Sequence, residues 1–362
     1  MRPAAADHQT LISTQRPSNI TSVPYSDMTD RRIDEKVKNS CPSETASHDL
    51  CQAYRHRLGL SNQPLPPTFD TLCLITERHL ERVPFTNLSL HLDPPTNDPP
   101  VVLDESILIK KVLLQGYGAC CLELNGLLAR FLIRLGYDVH LVPTFVAAGR
   151  ERGHASTTQP KFRTTQSHFV LLVDRKYILD VGLGEPPLHP LVYQTDLVQR
   201  TPDGMKSRIR WDPKGSWTDG QGRSRTCLIQ EWQTTNDGPW EPRLQWDVAD
   251  APLDGSAPKT QYTLNDFAYV IQLLLNPKSS FARKFIACRL TRTQKITLTG
   301  DTLKITSPRF GPMAQSHSTP ISTEEAVRLA LLEHFDIALR SDQKIDLTKS
   351  NHARNTKLWE HL

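Results

Sequence analysis

The sequence has no run of about 18 consecutive apolar residues, the length a helix needs to cross a bilayer, so no spanning helix is expected. It also lacks any cluster of Lys and Arg interleaved with aromatics. With 43 basic and 39 acidic side chains the net charge is +4, too weak a field to argue for DNA or RNA. A mild positive bias suits small anionic ligands. Among the seven cysteines (Cys41, Cys51, Cys73, Cys120, Cys121, Cys227 and Cys288) no C-x-x-C pair occurs, which excludes a zinc ribbon and a thioredoxin-type motif. The odd count does not suit a disulfide framework, and the opening MRPAAADHQTLIST has no apolar signal core. These absences together lead us to expect a cytoplasmic protein with reduced thiols, no metal site and no membrane partner.

What is present is long enough, at 362 residues, for a sizeable core and more than one folding unit. Residues 1–45 are polar and aperiodic and read as a disordered extension. Apolar spacing predicts helices over Ser47 to Leu58, Thr68 to Arg82 and Asp104 to Leu114, with a loop at Asp93 to Pro100 (DPPTNDPP). A longer helix is expected from Cys121 to Leu135, where Leu124, Leu127, Leu128, Phe131, Leu132 and Leu135 form one stripe that Gly136 ends. The texture then changes to strands. DVHLVPTFVA is followed by a polar loop, and SHFVLLVDRKYILDVG reads as a hairpin about Asp174 to Lys176. Ile209 to Asp247 holds five of the six tryptophans with turn residues between short strands. A helix over Asn265 to Leu275, strands at Phe285 to Leu290 and Lys295 to Ile305, and a helix capped by Ser322 with Glu325 complete the pattern.

Two cysteines stand side by side in GYGACCLELNG, where a loop meets a helix. A nucleophilic cysteine must be a thiolate, and the N–H groups and dipole at a helix N-terminus lower its pKa. Cys121 opens the apolar period, and Gly118 and Ala119 leave room for a close approach. The hairpin supplies partners. If Asp174, Arg175 and Lys176 form a three-residue loop, Asp180 lies opposite Val170 and His168 opposite Gly182. His168 and Asp180 are then diagonal neighbours on one face, roughly 7–8 Å apart at the backbone. A two-residue loop would set them on opposite faces. An aspartate bonded to one ring nitrogen fixes the tautomer whose other nitrogen takes a thiol proton.

These blocks resemble the arylamine N-acetyltransferases, whose cysteine motif runs R-G-G-x-C-x-E-x-N; here Tyr117-Gly118-Ala119-Cys120-Cys121-Leu122-Glu123-Leu124-Asn125 matches it with Cys121 as the nucleophile. The family histidine corresponds to His168 in SHFVLLV, and its D-x-G-F-G aspartate to Asp180 in Asp180-Val181-Gly182-Leu183-Gly184. YRHRLGL, HLERVPFTNLSL and NDFAYVIQLLLNPKSSF extend the likeness over roughly Ser47 to Leu339. The resemblance implies an α+β fold: an N-terminal helical bundle (46–137), a central antiparallel β-barrel (138–255), an α/β lid (256–345) and a tail (346–362), around a papain/transglutaminase-like cysteine-enzyme core. It implies a ping-pong acyl transfer from an acyl-coenzyme A cosubstrate (acetyl-, propionyl- or malonyl-CoA), with no bound cofactor, to an arylamine or arylhydrazine. Cys121, His168 and Asp180 would be catalytic and Phe85 would line the acceptor site. Cys120 reads as a packing neighbour, Glu123 and Asn125 as structural hydrogen-bonding groups, and Arg150, Arg152 and His154 as loop charges facing solvent.

Three positions depart from the family pattern: Tyr117 replaces an arginine, Ala119 a glycine and Thr86 a glutamate. If the two charged positions normally pair, losing both leaves no uncompensated buried charge. Two other activities use the same residues: amide formation from a carrier-bound natural-product thioester, and a papain- or transglutaminase-like amidase.

Overall fold

The computed structural model of the protein describes residues 49–148, 161–218, 222, 224–233 and 238–345. The expected 1–45 extension, the 346–362 tail and the loop charges Arg150, Arg152 and His154 lie outside the described residues. Helix α1 (Leu50–Leu58) starts at Asp49, whose carboxylate accepts the Gln52 N–H, and ends at Gly59 in the left-handed region. Helix α2 (Phe69–Arg82) is capped in the same way by Thr68. Two short strands follow, β1 (Phe85–Thr86) and β2 (Leu92–Asp93). The single helix expected over Asp104 to Leu114 is α3 (Glu105–Leu108) continued by a wider π-type turn over Ile109–Leu114. Such bulges change the pitch between side chains, and Lys111, within this one, is buried.

Helix α4 (Cys121–Arg134) carries the predicted stripe: Leu124, Leu127, Leu128, Phe131 and Leu132 are all fully buried. Tyr54 of α1 stacks on Phe131 with ring centroids 4.4 Å apart. Each such apolar side chain contributes about 1.5–3 kcal/mol on burial, so tertiary packing rather than intrinsic propensity holds these short helices.

The strands β3 (Val139–Val146), β4 (His168–Val173), β5 (Tyr177–Leu179), β6 (Leu191–Val192), β7 (Gln199–Arg200), β8 (Lys206–Thr218), β9 (Ser224–Gln233) and β10 (Glu241–Asp247) form an antiparallel sheet in the order β6-β5-β4-β3-β10-β9-β8-β7. Its two edges meet: the Gln199 side chain accepts the Val192 N–H and donates to the Val192 carbonyl, at 2.7 and 2.9 Å. The sheet is therefore a nearly closed barrel, which removes the exposed edges of an open sheet.

Beyond it come α5 (Ala268–Leu275), entered through a 3-10 turn at Leu264–Phe267, and α6 (Ser280–Arg283). Strands β11 (Ile286–Leu290), β12 (Lys295–Thr299), β13 (Thr302–Ser307) and β14 (Gln315–Pro320) extend a second sheet in the order β1-β11-β12-β13-β14. The expected strand from Lys295 to Ile305 is thus a hairpin, because Gly300 at φ +59 turns the chain. Helix α7 (Glu324–Phe335) starts one residue later than Ser322 predicts. Thr323 is the cap, accepting the Ala326 N–H, since its hydroxyl reaches the third helical residue. A final strand β15 (Lys344–Ile345) pairs with β2.

The architecture is the expected α+β one, and none of the described helices is long and apolar enough to cross a membrane. Two strands of the helical segment, β1 and β2, are completed by C-terminal partners, β11 and β15. Strand β1 also fixes the loop before α4. Thr86 donates its N–H to Ala119 O at 2.8 Å, and Phe85 and Ala119 form a parallel bridge. The approach is so close that a Cβ at Gly118, whose φ is +67, would fall 2.2 Å from the Pro84 carbonyl oxygen.

Gly118→Ala is accordingly expected to destabilise the protein by at least about 2 kcal/mol, combining left-handed strain with a backbone clash. Urea denaturation of the variant beside wild type measures this; an unchanged midpoint would contradict the close packing of β1 on the pre-α4 loop.

Candidate active site

Cys121 is the first residue of α4 and Cys120 its N-cap. The sulfur of Cys121 therefore sits where unpaired N–H groups favour a thiolate. Its residue is 8% exposed. Part of the confinement comes from Gly182, where a Cβ would lie 2.7 Å from the Cys121 Cα and 2.8 Å from its carbonyl oxygen. Only glycine allows the loop after β5 to lie this close.

The β4–β5 hairpin has the three-residue loop: Val173 pairs with Tyr177, Leu172 with Ile178 and Leu171 with Leu179. In that register His168 Nε2 lies 2.9 Å from Asp180 Oδ2, both residues being buried. The other Asp180 oxygen accepts from Gly182 N–H at 2.7 Å and from Asn125 Nδ2 at 3.0 Å. Asn125 also donates to Phe169 O and accepts the Val181 N–H. This one side chain of α4 thus ties the helix to β4 and to the aspartate loop. The Cys121 sulfur and the His168 ring are electrostatically coupled, each favouring the charged form of the other. His168 and Asp180 thus share a face, as the three-residue loop requires, and Gly182 brings Cys121 close to the aspartate loop.

The electrostatics favour an ion pair. A hydrogen bond from the Cys120 thiol, set against burial and aided by the bond and charge of His168, lowers the Cys121 pKa to about 5. Burial would keep His168 neutral, but the Asp180 charge and hydrogen bond and the contact with Cys121 outweigh it and raise the ring to about 10. Burial likewise opposes the Asp180 charge, yet His168, Asn125 and Gly182 hold its pKa below the ordinary value.

Cys120 is more than a packing neighbour. Its Sγ is 3.2 Å from Glu123 Oε2, and its thiol also bonds to the Cys121 sulfur, which with burial raises its own pKa well above normal. One proton cannot serve both acceptors fully. The Glu123 carboxylate already receives the Cys120 N–H (3.1 Å), the Val102 N–H (3.0 Å) and Lys111 Nζ (2.6 Å).

Glu123 and Asn125 are structural hydrogen-bonding groups, as expected. Lys111 was missed; its signal was a lysine on the buried side of the apolar run ILIKKVLL. Phe85 is half-buried on β1, paired with Cys288, and its ring packs edge-on to Phe281 with centroids 6.2 Å apart. A small pocket opens on the Cys120 side, between Thr86, Asn87, Lys111, Cys120, Glu123 and Phe281, and neither Cys121 nor Phe85 lines it. The substituted positions find separate partners: Tyr117 donates to Gln343 Oε1 at 3.0 Å, and Thr86 Oγ1 accepts the Leu88 N–H at 2.9 Å. Among the described residues no cluster of His, Cys, Asp and Glu could hold a metal ion.

The N-acetyltransferase family model matches residues 68–344. The chain is 33% identical over 147 residues, 39% of its length, to the arylamine N-acetyltransferase / N-hydroxyarylamine O-acetyltransferase of Salmonella typhimurium, and spans only 47% of that protein. It is 27% identical over 302 residues to the N-malonyltransferase FDB2 of Gibberella moniliformis, covering 75% of this chain and 79% of that one. Among solved structures, the Nocardia farcinica arylamine N-acetyltransferase superposes with a TM-score of 0.63 at 24% identity, covering 87% of this chain and 96% of that one.

Cys121 alkylation by iodoacetamide is expected to stay fast down to about pH 5 and be lost below it, whereas an unperturbed thiol would slow already near 9. Cys120→Ala should shift that midpoint upward. An unshifted midpoint would return Cys120 to a packing role.

Proposed function

This chain belongs to the arylamine N-acetyltransferase family, and from that premise we propose that it transfers an acyl group from an acyl-coenzyme A to an aromatic amine or hydrazine through a Cys121 thioester. The observation that carries the reading is the buried His168–Asp180 pair, 2.9 Å apart, with Cys121 at the N-terminus of α4 brought against the aspartate loop at Gly182. In the first half-reaction the Cys121 thiolate attacks the thioester carbonyl. The bond from that carbon to the coenzyme sulfur breaks, and the leaving thiolate takes the His168 proton. His168 is then neutral and can accept a proton from the incoming amine as it attacks the Cys121 thioester. Cys121 leaves as thiolate beside a reprotonated imidazole, and the cycle closes.

Asp180 holds the ring in place and stabilises its charged form. The backbone N–H of Cys121, in the first turn of α4, is free of the intrahelical ladder and is assigned to the developing oxyanion. Phe85 is assigned to the acceptor side, being bridged through its backbone to Ala119, two residues before the nucleophile. The relatives are named for acetyl and for malonyl transfer, so the family leaves the acyl group open. The reading carries with it a cytoplasmic setting, where thiols stay reduced.

Intact mass after incubation with acetyl-, propionyl- and malonyl-CoA, without acceptor, tests it. An acyl adduct should form on wild type, persist in Cys120→Ala and vanish in Cys121→Ala. Absence of any adduct from every donor would overturn the acyltransferase reading and favour the amidase, for which coenzyme-independent peptide cleavage is the assay.

A further inference from the structure

Arg163 is a cation beside the site that none of these steps employs. Its N–H donates to Val146 O at 3.0 Å, the Ala148 N–H donates to Lys161 O at 2.8 Å, and Ala147 bridges to Phe162. This short antiparallel pairing sets Arg163 across from Val146. Two residues back along β3, Thr144 pairs with His168. Side chains of residues two apart leave the same face of a strand, as do those of residues directly opposite. Arg163 and His168 therefore share one face of the sheet, at the end of β3 where Cys121 meets the ring.

The guanidinium is only partly exposed, and its Nε has neither solvent access nor an acceptor. Two further buried donors nearby lack partners: the Thr144 hydroxyl, across from His168, and Gln166 Nε2, three residues beyond Arg163. Among the described residues no carboxylate pairs with Arg163. Burial pulls its pKa down and the Cys121 charge pushes it back up, so the thiolate is within electrostatic range.

We infer that Arg163 binds a carboxylate at the far end of the acyl group carried by Cys121, making the preferred donor a dicarboxylic acyl thioester of the malonyl type. The inference rests on the acyltransferase reading above and specifies its donor. Thioester formation removes the anion within electrostatic range of Arg163: the sulfur becomes neutral while the half-buried cation remains. Leaving such a charge without a partner is costly. A neutral acetyl or butyryl group cannot replace the lost anion. A malonyl group does so, because its carboxylate lies one methylene beyond the thioester carbonyl, and a planar guanidinium fork is built to take a carboxylate in two parallel hydrogen bonds. The acyl-transfer chemistry itself is unaltered, and the distal carboxylate keeps its charge throughout.

The test is the rate of acyl-enzyme formation, followed by intact mass, with malonyl-, butyryl- and acetyl-CoA on wild type, Arg163→Met and Arg163→Lys. Butyryl is the neutral group of similar length. Wild type should prefer malonyl over butyryl by about tenfold or more, the magnitude of one charge-assisted contact of about 1.4 kcal/mol. Arg163→Met should abolish that ratio, and Arg163→Lys should restore part of it. A loss of folding or of thiolate reactivity would slow all donors together and leave the ratio in place. Equal malonyl and butyryl rates in wild type, or a ratio unmoved by Arg163→Met, would overturn the carboxylate-binding role while the acyltransferase reading stands. No adduct from any donor on wild type would overturn both.

Discussion

Asp180 carries a charge in a place where burial alone would remove it, and the rest of the site is arranged to prevent that. One oxygen faces His168 and the other takes two N–H donors, from Asn125 and Gly182. A buried carboxylate with its acceptor positions filled can stay ionised. An ionised Asp180 in turn keeps a buried imidazole protonated, and a protonated imidazole stabilises a thiolate. Remove the carboxylate charge and each later member loses the reason for its own state.

The same requirement explains why three separate pieces of chain converge. Cys121 comes from α4, His168 from β4 and Asp180 from the loop after β5. Asn125 spans all three, and Gly182 lets the last approach the first. A second buried pair, Lys111 with Glu123, lies on the opposite side of Cys120 at 2.6 Å, with side chains 8% and 1% exposed. Such a pair adds little net stability over apolar packing, but breaking it strands a charge. Its effect is to fix geometry: Glu123 gathers the Cys120 N–H, the Val102 N–H and Lys111, and so anchors the start of α4 that carries Cys121.

Much of this was legible in the sequence wherever the signal is local. Apolar spacing identified α1, α2 and α4, because a helix presents the same face every three to four residues. The hairpin loop length predicted that His168 and Asp180 would face each other, because strand register is arithmetic once the turn is known. Errors fell where two local solutions are nearly equal. Ser322 and Thr323 are adjacent residues of the capping type, and in the structure Thr323 takes the role. The break after Thr299 depended on a glycine whose turn is as compatible with a bulge as with a hairpin. The π-type turn over Ile109–Leu114 has no sequence signature apart from a lysine on an apolar face.

By itself the sequence determined the residue types at the site, the order of helix, strand and mixed segments, and that a three-residue hairpin loop would set His168 and Asp180 on one face; the structure supplied that loop. These follow from covalent order and from the fixed periods of helix and strand. Only the tertiary structure decided that the Cys120 thiol donates to Glu123, that Lys111 is buried against Glu123, that Asn125 clamps Asp180, and that Arg163 stands on the histidine's face. Each of these contacts joins groups from different elements, or orients a bond that local geometry leaves free. Their energies depend on burial and on the distance between charges, and a one-dimensional pattern contains neither quantity.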